Sequence, residues 1–393
     1  MRRSIRRKKR RERRALKVDR EIDCGHPAVC PHCSSTRLSP HYRHQKIVFD
    51  LKPSRAGIKR WVTRYKARRC RCGGCGHTSL PAEYLAVSAY KYGPGLCSWV
   101  VYSSISQRQT NEAVAEALND LFAIHIPLGS LADLLQRVAD RYRPTYESLI
   151  ACLRSGQLIH ADETKTMIKG SSRRRYVWAF ANSQTVVYVY SPTRDGDTPK
   201  DTLAGFHGVL VSDFYSAYDS LDCLQQKCLI HLVRDLNDDL LKHPFDAELK
   251  RMTVRFAGLL QAVVETIDRY GLKKYHLHKH KKDVGHFYAA ELAAPYQSEI
   301  ARHYQDRFLK YRDKLFTFLD HDGVPWNNNN AENAIKRFVS RRKIVGSFFS
   351  EDGLRQYLQL LSIYQTLRYR GLSFWTFLLS GETDITAFTA KGR

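Results

Sequence analysis

Two pairs of cysteines with the spacing C-x2-C constrain the fold of this chain more than any other feature of its sequence. Cys30 and Cys33 form the first pair, and Cys72 and Cys75 form the second. Each pair can present two sulfurs from one tight turn to a tetrahedral ion. The spacing therefore predicts a zinc ribbon over residues 23–88, in which these four thiolates bind Zn²⁺; unrelated free thiols are the alternative. Further candidate ligands in this segment are Cys24, His26, Cys70 and His77.

The segment between the two cysteine pairs is rich in β-branched and aromatic residues. Val48, Phe49 and Leu51 favour a strand over 46–51, and Trp61, Val62 and Tyr65 favour a second strand over 60–68. Two strands between two cysteine turns are typical of a zinc ribbon.

Positive charge is concentrated at the start of the chain. The net charge is +25, and the first 20 residues contain 12 Lys and Arg but only two acids. Such an excess favours a polyanionic partner, and nucleic acid is the first candidate. We predict a basic arm over residues 1–22 that contacts DNA phosphates; a solvated tail that binds nothing is the alternative. The candidate contacts are Arg6, Arg7, Lys8 and Arg10.

The remaining composition predicts a cytoplasmic protein, and the expected binding to DNA would associate it with the nucleoid. No apolar run approaches the roughly 20 residues that span a bilayer, so we expect no membrane partner. The first residues lack the apolar core of a secretion signal, and ten cysteines are then expected to be reduced thiols or metal ligands.

A helical region follows the Gly93-Pro94-Gly95 boundary signal. Apolar residues at helical spacing predict a helix over 111–122, with Thr110 as its N-cap. A break at 126–129 and a second helix over 130–142 suggest a helix-turn-helix within a domain spanning 93–150. A helical hairpin that binds no DNA is the alternative.

From residue 155 the pattern changes to short strands, and two of these strands end in an acid. The order β-β-β-α-β-α-β-α over 155–242 predicts a mixed sheet with helices, in which a helix begins near Tyr215 and the fifth strand spans 227–230. Asp162 and Asp213 each follow an apolar strand, where carboxylates from neighbouring strands can share a Mg²⁺ or Mn²⁺ ion. Each Asp could instead cap a helix or form a turn. The basic loop between the first two strands offers Arg173 and Arg174 to DNA.

Residues 243–325 predict an all-helical insertion, with apolar residues at helical spacing over 249–267 and a second helix over 298–320. An Asn-rich segment then precedes a helix predicted to begin near Asn330, which places Glu332 in its first turn. Glu332 is either a third metal ligand or a capping acid paired with Lys336. Lys336 and the cluster Arg341, Arg342 and Lys343 are candidate DNA contacts. Trp326 either packs in the core or stacks on a base near the site.

Four motifs follow one another along the chain, namely His160-Ala-Asp-Glu-Thr164, Val209 to Tyr218, Cys228-Leu-Ile-His231 and Asn330-Ala-Glu-Asn-Ala-Ile-Lys336. With these motifs in this order, the chain resembles bacterial transposases of the insertion sequence 66 family over about residues 24–380. The resemblance implies a ribonuclease H-like mixed α/β core, with strands one and four as neighbours. That core would comprise 155–242 and the C-terminal helices 326–380, with a tail at 381–393.

The resemblance also implies a function and a set of site residues. Asp162, Asp213 and Glu332 would be the catalytic acids, and Cys228 with His231 would support the site. The implied activity is Mg²⁺-dependent cleavage at the ends of a mobile element and transfer of the 3′-hydroxyl into target DNA. The expected partners are double-stranded DNA, a second copy or higher oligomer of the chain, and accessory proteins encoded by the element. A nuclease without strand transfer and a catalytically silent DNA-binding regulator are the alternatives.

Overall fold

The computed structural model of the chain describes residues 16–291, 293 and 295–391. The chain divides into two compact units. Residues 16–138 and Phe374–Glu382 form the first unit, and Ala139–Ser373 with 383–391 form the second. This division differs from the predicted domain boundaries at 93 and 155. Within the described residues, every helix is too short or too polar to cross a membrane.

The strands and helices are labelled in chain order. The strands are β1 Arg20–Asp23, β2 Leu38–Ser54, β3 Gly57–Cys72, β4 Thr78–Ser79, β5 Leu158–Thr166, β6 Arg175–Ala181, β7 Val186–Ser191, β8 Val209–Ser212 and β9 Leu224–Lys227. The helices of the first half are α1 Ala82–Ser88, α2 Pro94–Ile105, α3 Asn111–Phe122, α4 Leu128–Arg141, α5 Arg143–Arg154, α6 Asp197–Thr202 and α7 Leu229–Lys242. The later helices are α8 Ala247–Tyr270, α9 Lys274–Leu277, α10 Lys281–Glu291, α11 Glu299–Lys310, α12 Arg312–Leu315, α13 Asn329–Val345, α14 Glu351–Tyr369, α15 Phe374–Ser380 and α16 Ile385–Lys391.

A long antiparallel hairpin of β2 and β3 organises the first unit. Its register runs from Ser54 opposite Gly57 at the turn to Leu38 opposite Cys72 at the open end. β1 pairs in parallel with β3, and β4 pairs with β3 in antiparallel orientation. Both predicted strands are confirmed and extend further than predicted. Because the hairpin is open at Leu38 and Cys72, the chain segments that carry the two cysteine pairs leave it side by side.

The predicted pair of helices that follows is confirmed with small shifts. α3 has the predicted limits, and the Thr110 hydroxyl accepts a hydrogen bond from the Ala113 amide at 3.2 Å. α3 ends at Ala123, which adopts a left-handed conformation (φ 51°). α4 begins two residues before the predicted Ser130 and ends one residue before the predicted Tyr142.

Gly93-Pro94-Gly95, predicted as a boundary, instead starts a helix that packs against the hairpin. The Gly93 amide donates to the Phe49 carbonyl at 2.7 Å, and the Asp50 carboxylate accepts from the Leu96 amide at 2.8 Å. A Cβ atom on Gly95 would lie 1.9 Å from the Leu51 carbonyl oxygen. The glycine therefore permits an approach between helix and strand that no other residue allows.

The second unit contains the predicted mixed sheet, in the order β7-β6-β5-β8-β9. β5, β6 and β7 form an antiparallel meander, whereas β8 pairs in parallel with β5, and β9 with β8. Strands one and four of this sheet, β5 and β8, are neighbours, as the ribonuclease H-like fold implies. α13 packs against β5 and β6, and α14 packs against β7.

Two local predictions in this sheet are wrong. The helix predicted from Tyr215 is only a 3-10 turn over Ser216–Tyr218. The fifth strand, predicted over 227–230, ends at Lys227, and Cys228 is the N-cap of α7. Leu229 is fully buried in the first turn of this helix, so its apolar character serves helix packing rather than a strand.

The α14 helix covers the edge strand β7. The Ser362 hydroxyl accepts from the Tyr188 amide at 2.9 Å, and the Thr366 hydroxyl accepts from the Val186 amide at 3.0 Å. Strand edges with free amides are a liability for aggregation, and these two hydroxyls satisfy them. Helix α14 therefore covers the free edge of the sheet and bonds two of its amides.

Between α7 and α13, the described residues form helices and connecting turns, as predicted for the insertion. α8 buries Leu249, Met252, Phe256 and Val263 in a core that also includes Val209 and Val211 of β8. The helix predicted over 298–320 is interrupted at Tyr311 and continues as α12 and a 3-10 turn at Thr317–Leu319. The insertion thus packs directly against the sheet.

Replacing Gly95 by Ala tests the close contact between α2 and β2. We expect Gly95→Ala to lower the free energy of unfolding by at least about 2 kcal/mol, because the new methyl group overlaps a backbone oxygen. Gly129→Ala is the matched control in α4, where nothing lies within 4 Å of an added Cβ. It should be neutral or stabilising by up to about 1 kcal/mol. Equal effects of the two changes in thermal and denaturant unfolding would contradict the assigned contact.

Candidate catalytic and metal-binding sites

Two aspartates meet at the end of two neighbouring parallel strands. β5 and β8 pair in register from Leu158 opposite Val209 to His160 opposite Val211. The same register continued by two residues places Asp162 opposite Asp213, which directly follows β8. Neighbouring strands lie about 4.8 Å apart, so the two residues are adjacent. The predicted juxtaposition of these two acids is present in the fold.

Asp162 lies in an environment that disfavours its charge. The pKa of the Asp162 carboxyl is raised to about 7. Burial is the largest cause, and the nearby carboxylates of Glu163, Asp213 and Glu332 contribute to the same shift. A hydrogen bond from the Glu163 amide to Asp162 Oδ1, at 2.9 Å, opposes the shift. Several acids that repel one another in a partly buried cleft are suited to binding a cation.

Glu332 is positioned by an asparagine whose role the sequence did not reveal. α13 begins at Asn329 and carries Glu332 in its first turn, close to the prediction. Asn328, at the N-cap, is fully buried, but its side chain makes no capping bond. Instead its Nδ2 donates to the Ala161 carbonyl at 2.8 Å, and its Oδ1 lies 3.2 Å from His160 Nδ1. The start of α13 is thereby fastened to β5 next to Asp162.

His160 contributes a neutral ring to this contact. Burial lowers the pKa of His160 to about 4, although its bond to Asn328 opposes the shift. Because Nδ2 of the Asn328 side chain donates to the Ala161 carbonyl, Oδ1 of the same side chain must accept the proton of His160 Nδ1. His160 and Asn328 together form an uncharged link between β5 and α13.

Cys228 and His231 lie beside Glu332, on the first turn of α7. One donor atom from each of the three side chains lies within 4.8 Å of the other two. His231 Nε2 is 4.0 Å from Glu332 Oε1, and the Asn328 amide donates to Cys228 Sγ at 3.3 Å. Within the described part of the chain, the donor atoms of Asp162, Asp213 and Glu332 do not form a group as tight as this.

Glu163 is a buried acid that the sequence interpretation did not assign to the site. Its side chain is 2% exposed and accepts from Arg194 Nε at 3.0 Å and from the Tyr218 hydroxyl at 2.8 Å. The Arg194 guanidinium also lies 4.0 Å from the centre of the Tyr215 ring. The Tyr215 amide in turn donates to Asp213 Oδ1 at 2.9 Å. This network connects the two strand ends behind the aspartates, and no spacing in the sequence indicated it.

Lys336 makes a contact other than the predicted ion pair, whereas Trp326 makes the core contact that was one of its two predicted alternatives. Lys336 is exposed, and its ammonium group donates to Asn333 Oδ1 at 3.1 Å rather than to Glu332. Trp326 is half-buried and packs against the core of the helical insertion. Its carbonyl accepts from the Leu229 amide at 2.9 Å, which fastens the start of α7 to the segment before α13.

The predicted DNA contacts differ in accessibility. Arg173, Arg174 and Lys343 are exposed. Arg342 is half-buried and donates to the Thr164 hydroxyl at 2.9 Å. Arg341 is only 7% exposed, with its guanidinium 5.5 Å from the centre of the Tyr357 ring. The prediction that Arg341 faces DNA is corrected accordingly, because the side chain is buried and its guanidinium lies on Tyr357 of α14. Outside the described residues are Arg6, Arg7, Lys8 and Arg10.

The four cysteines of the predicted zinc ribbon converge in the first unit. Cys30 Sγ lies 3.6 Å from Cys75 Sγ, and Cys33 Sγ lies 3.5 Å from Cys72 Sγ. Zinc–sulfur bonds of about 2.3 Å in a tetrahedron place sulfurs roughly 3.8 Å apart, so these four could bind zinc. Amide hydrogen bonds from Cys75 and Gly74 lower the pKa of Cys72 to about 6. A backbone hydrogen bond from Ser35 lowers the pKa of Cys33, but contacts with the sulfurs of Cys75 and Cys72 outweigh it and raise that pKa to about 12, so Cys72 is the thiol of this pair that more readily becomes a thiolate. The alternative ligands Cys24, His26, Cys70 and His77 are not part of this group.

A profile of the family described as "Transposase IS66 family" matches residues 90–356, which is more than half of the chain. Among curated proteins, the uncharacterized protein y4jO of Sinorhizobium fredii is 32% identical over 99 residues, or 22% of this chain and 31% of that protein. The uncharacterized protein y4jD of the same organism is 27% identical over 186 residues, or 44% of this chain and 36% of that protein. The chain spans about a third of the length of the curated relatives it matches.

Solved structures offer only distant similarity. The crystal structure of the Mos1 Strand Transfer Complex covers 64% of this chain and 79% of its own, with 11% identity and a TM-score of 0.14. The Mos1 transposase paired-end complex with left transposon end has the same identity, covers 64% of this chain and 80% of its own, and has a TM-score of 0.15. Scores this low have no bearing on the interpretation of the site.

The raised pKa of Asp162 predicts that this acid destabilises the fold at neutral pH when no divalent cation is added. In an unfolded chain the carboxyl has a pKa of about 3.9. Between that value and about 7, the unfolded state releases a proton that the folded state retains. The free energy of unfolding therefore falls as the pH rises through this window. Asp162→Asn should raise it at pH 8 by on the order of 2 kcal/mol.

The effect should vanish near pH 4, where Asp162 is protonated in the folded state, so the low-pH measurement is the internal control. Denaturant unfolding of both proteins without added Mg²⁺ or Mn²⁺ measures the difference. If Asp162 were a capping or turn residue, the same change would destabilise the protein at both pH values.

Proposed function

The chain belongs to the IS66 family of transposases, and on that premise we propose that it cleaves DNA at the ends of a mobile element and joins them to target DNA. Asp162, Asp213 and Glu332 are the proposed catalytic acids. The observation that carries the proposal is the register of β5 and β8, which places Asp162 beside Asp213 with the N-terminus of α13 fastened next to them. A silent DNA-binding regulator would not need this arrangement.

The proposed chemistry consists of two displacements at phosphorus. In the first, water attacks the phosphodiester at the element end, and the bond to the 3′-oxygen breaks to leave a 3′-hydroxyl. In the second, that hydroxyl attacks a phosphodiester of the target, loses its proton, and displaces the target's own 3′-oxygen. One bond forms for each that breaks in both steps, so no external energy source is required.

The three acids suit divalent cations with oxygen ligands such as Mg²⁺ or Mn²⁺. Asp162 and Asp213 would hold such an ion between the strand ends, and Glu332 would complete its carboxylate ligands from α13. When bound, the cations would polarise the phosphate and lower the pKa of the attacking water. The carboxylates repel one another, and bound cations would neutralise this repulsion while the residues stay fixed on rigid elements.

Other parts of the chain would bind and orient the DNA. Arg173 and Arg174, exposed on the loop between β5 and β6, and Lys336, exposed on α13, are available to phosphates. The zinc-bound hairpin, the helices α3 and α4, and the basic residues 1–22 would add contacts to the element ends. Most of these contacts would be electrostatic and would supply affinity rather than sequence choice.

Conservative changes of the three acids test the proposed reaction. Asp162→Asn, Asp213→Asn and Glu332→Gln should each reduce cleavage by orders of magnitude, because ligands of a catalytic metal act as a unit. DNA binding should persist, since each change removes a negative charge that faces phosphate. The measurement uses a plasmid with the whole element, so that any accessory proteins are present, and scores strand breaks and joined products.

Two exposed acids provide matched controls for this experiment. Asp222→Asn changes an Asp before β9, and Asp352→Asn changes an acid in the first turn of α14, as Glu332 is in α13. Both should retain full activity. Full cleavage by any of the three active-site variants would refute the role of that residue. Cleavage by the parent without joining would identify a nuclease, and DNA binding without cleavage would identify a regulator.

Removing exposed thiols tests the proposed zinc ribbon. Cys33 and Cys75 are exposed, so their replacement by Ser creates no cavity in the core. Cys33→Ser with Cys75→Ser should lower the zinc content by about one ion per chain and lower the melting temperature, because zinc binding contributes directly to folding. Cys24→Ser is the control outside the cluster and should retain zinc. An unchanged zinc content in the double variant, by elemental analysis, would refute the site.

A further inference from the structure

Three side chains with different metal-binding chemistry meet where the first turns of two helices touch. Cys228 is the N-cap of α7, His231 follows within the first turn, and Glu332 lies in the first turn of α13. The contact is held by the Asn328 amide, which donates to Cys228 Sγ, and by the Leu229 amide, which donates to the Trp326 carbonyl. The three donors therefore belong to rigid, mutually fastened elements rather than to loops.

The mixture of donors selects a class of ion. Cys228 offers sulfur, His231 offers an imidazole nitrogen, and Glu332 offers a carboxylate oxygen. Zn²⁺ and Co²⁺ accept this combination, whereas Mg²⁺ prefers oxygen ligands alone. Three protein donors around such an ion leave a fourth position for water or a substrate oxygen.

The separation of the donors fits a small tetrahedral ion after minor adjustment. All three donor atoms lie within 4.8 Å of one another, and His231 Nε2 lies 4.0 Å from Glu332 Oε1. Bonds of 2.0 to 2.3 Å in a tetrahedron place such donors roughly 3.3–3.8 Å apart. His231 Nε2 and Glu332 Oε1 are too far apart for a hydrogen bond, and at this distance they can form an ion pair only when the histidine is protonated.

Two buried atoms at this place lack a hydrogen-bonding partner among the described residues. They are Nδ1 of His231 and Oε1 of Glu332. A buried polar atom without a partner costs free energy, and a cation bound between the two side chains would satisfy Glu332 Oε1. The hydrogen bond from the Asn328 amide to Cys228 Sγ is the kind of outer contact that fixes a metal ligand.

We propose that Cys228, His231 and Glu332 form a binding site for a divalent ion of the zinc class. This site is separate in its donor chemistry from the Mg²⁺ site proposed for Asp162 and Asp213, and shares only Glu332 with it. Occupation by Zn²⁺ engages the carboxylate of Glu332, so the ion at this site controls how that carboxylate is presented to the two aspartates.

Zinc content of the full-length protein tests the site without DNA. The parent, Cys228→Ser, His231→Asn and Glu332→Gln are equilibrated with micromolar Zn²⁺, and bound zinc is measured by elemental analysis. Each variant should retain about one zinc per chain fewer than the parent, or bind it about tenfold or more weakly. Cys223→Ser is the matched control, since it replaces a nearby cysteine outside the group, and it should equal the parent.

Titration with Co²⁺ identifies the ligands. A thiolate bound to Co²⁺ absorbs in the near ultraviolet. The parent has two proposed sites per chain that contain cysteine, so the absorption should grow up to a second equivalent of Co²⁺, and the part due to that second equivalent should be lost in Cys228→Ser. If Cys228→Ser does not fold, the half-buried residues His231 and Glu332 carry the test through their own variants. Equal zinc content in the parent, His231→Asn and Glu332→Gln would overturn the proposal. Because no DNA is present, this failure would leave the proposed transposase reaction standing, and a failure to cleave would leave the metal site standing.

Discussion

A single buried asparagine joins the three segments from which the candidate site is made. Asn328 donates from its side chain to the Ala161 carbonyl, accepts from His160, and donates from its backbone to Cys228 Sγ. These bonds connect β5, α13 and α7 where their acidic and metal-binding side chains begin. In a fully buried place each of these polar groups must be satisfied, so the geometry permits little variation. The positions of Asp162, Glu332 and His231 relative to one another all depend on it.

The fold brings several carboxylates together at the end of β5, and neighbouring side chains compensate only part of this negative charge. Glu163 is almost fully buried directly after Asp162, but Arg194 and the Tyr218 hydroxyl hold its carboxylate. Among the residues that the structure describes, no comparable cation is bonded to Asp162, whose pKa is raised to about 7. The two adjacent acids therefore have different roles in the structure. Glu163 joins the strand ends in a closed network, whereas Asp162 retains a charge that only a cation or a proton can neutralise.

The sequence was sufficient for the features that depend on local pattern and spacing. Thr110 was recognised as a cap because one hydroxyl and the following helical periodicity determine it. The order of the strands followed from alternating apolar segments and turns, and it placed Asp162 and Asp213 on neighbouring strands. Sequence alone does not show whether Cys228 lies in a strand or at the start of a helix, because a short apolar segment suits either a buried strand or the first turn of a buried helix. The sequence predicts that Arg341 contacts DNA because it shows the positive charge of this residue but does not show which face of α13 is buried.

The residues that carry chemistry can be identified from the sequence alone: four cysteines at ribbon spacing, two aspartates at strand ends and a glutamate in a first helical turn. The grouping of these residues depends on how the chain folds. The hairpin brings together cysteines 30, 33, 72 and 75 and leaves Cys24 and Cys70 out. The contact between α7 and α13 groups Glu332 with Cys228 and His231, while the sheet register pairs the aspartates. The physical reason is that side-chain type and local periodicity act over a few residues. Partners 100 residues apart, such as Cys228 and Asn328, are brought together only by the packing of whole elements.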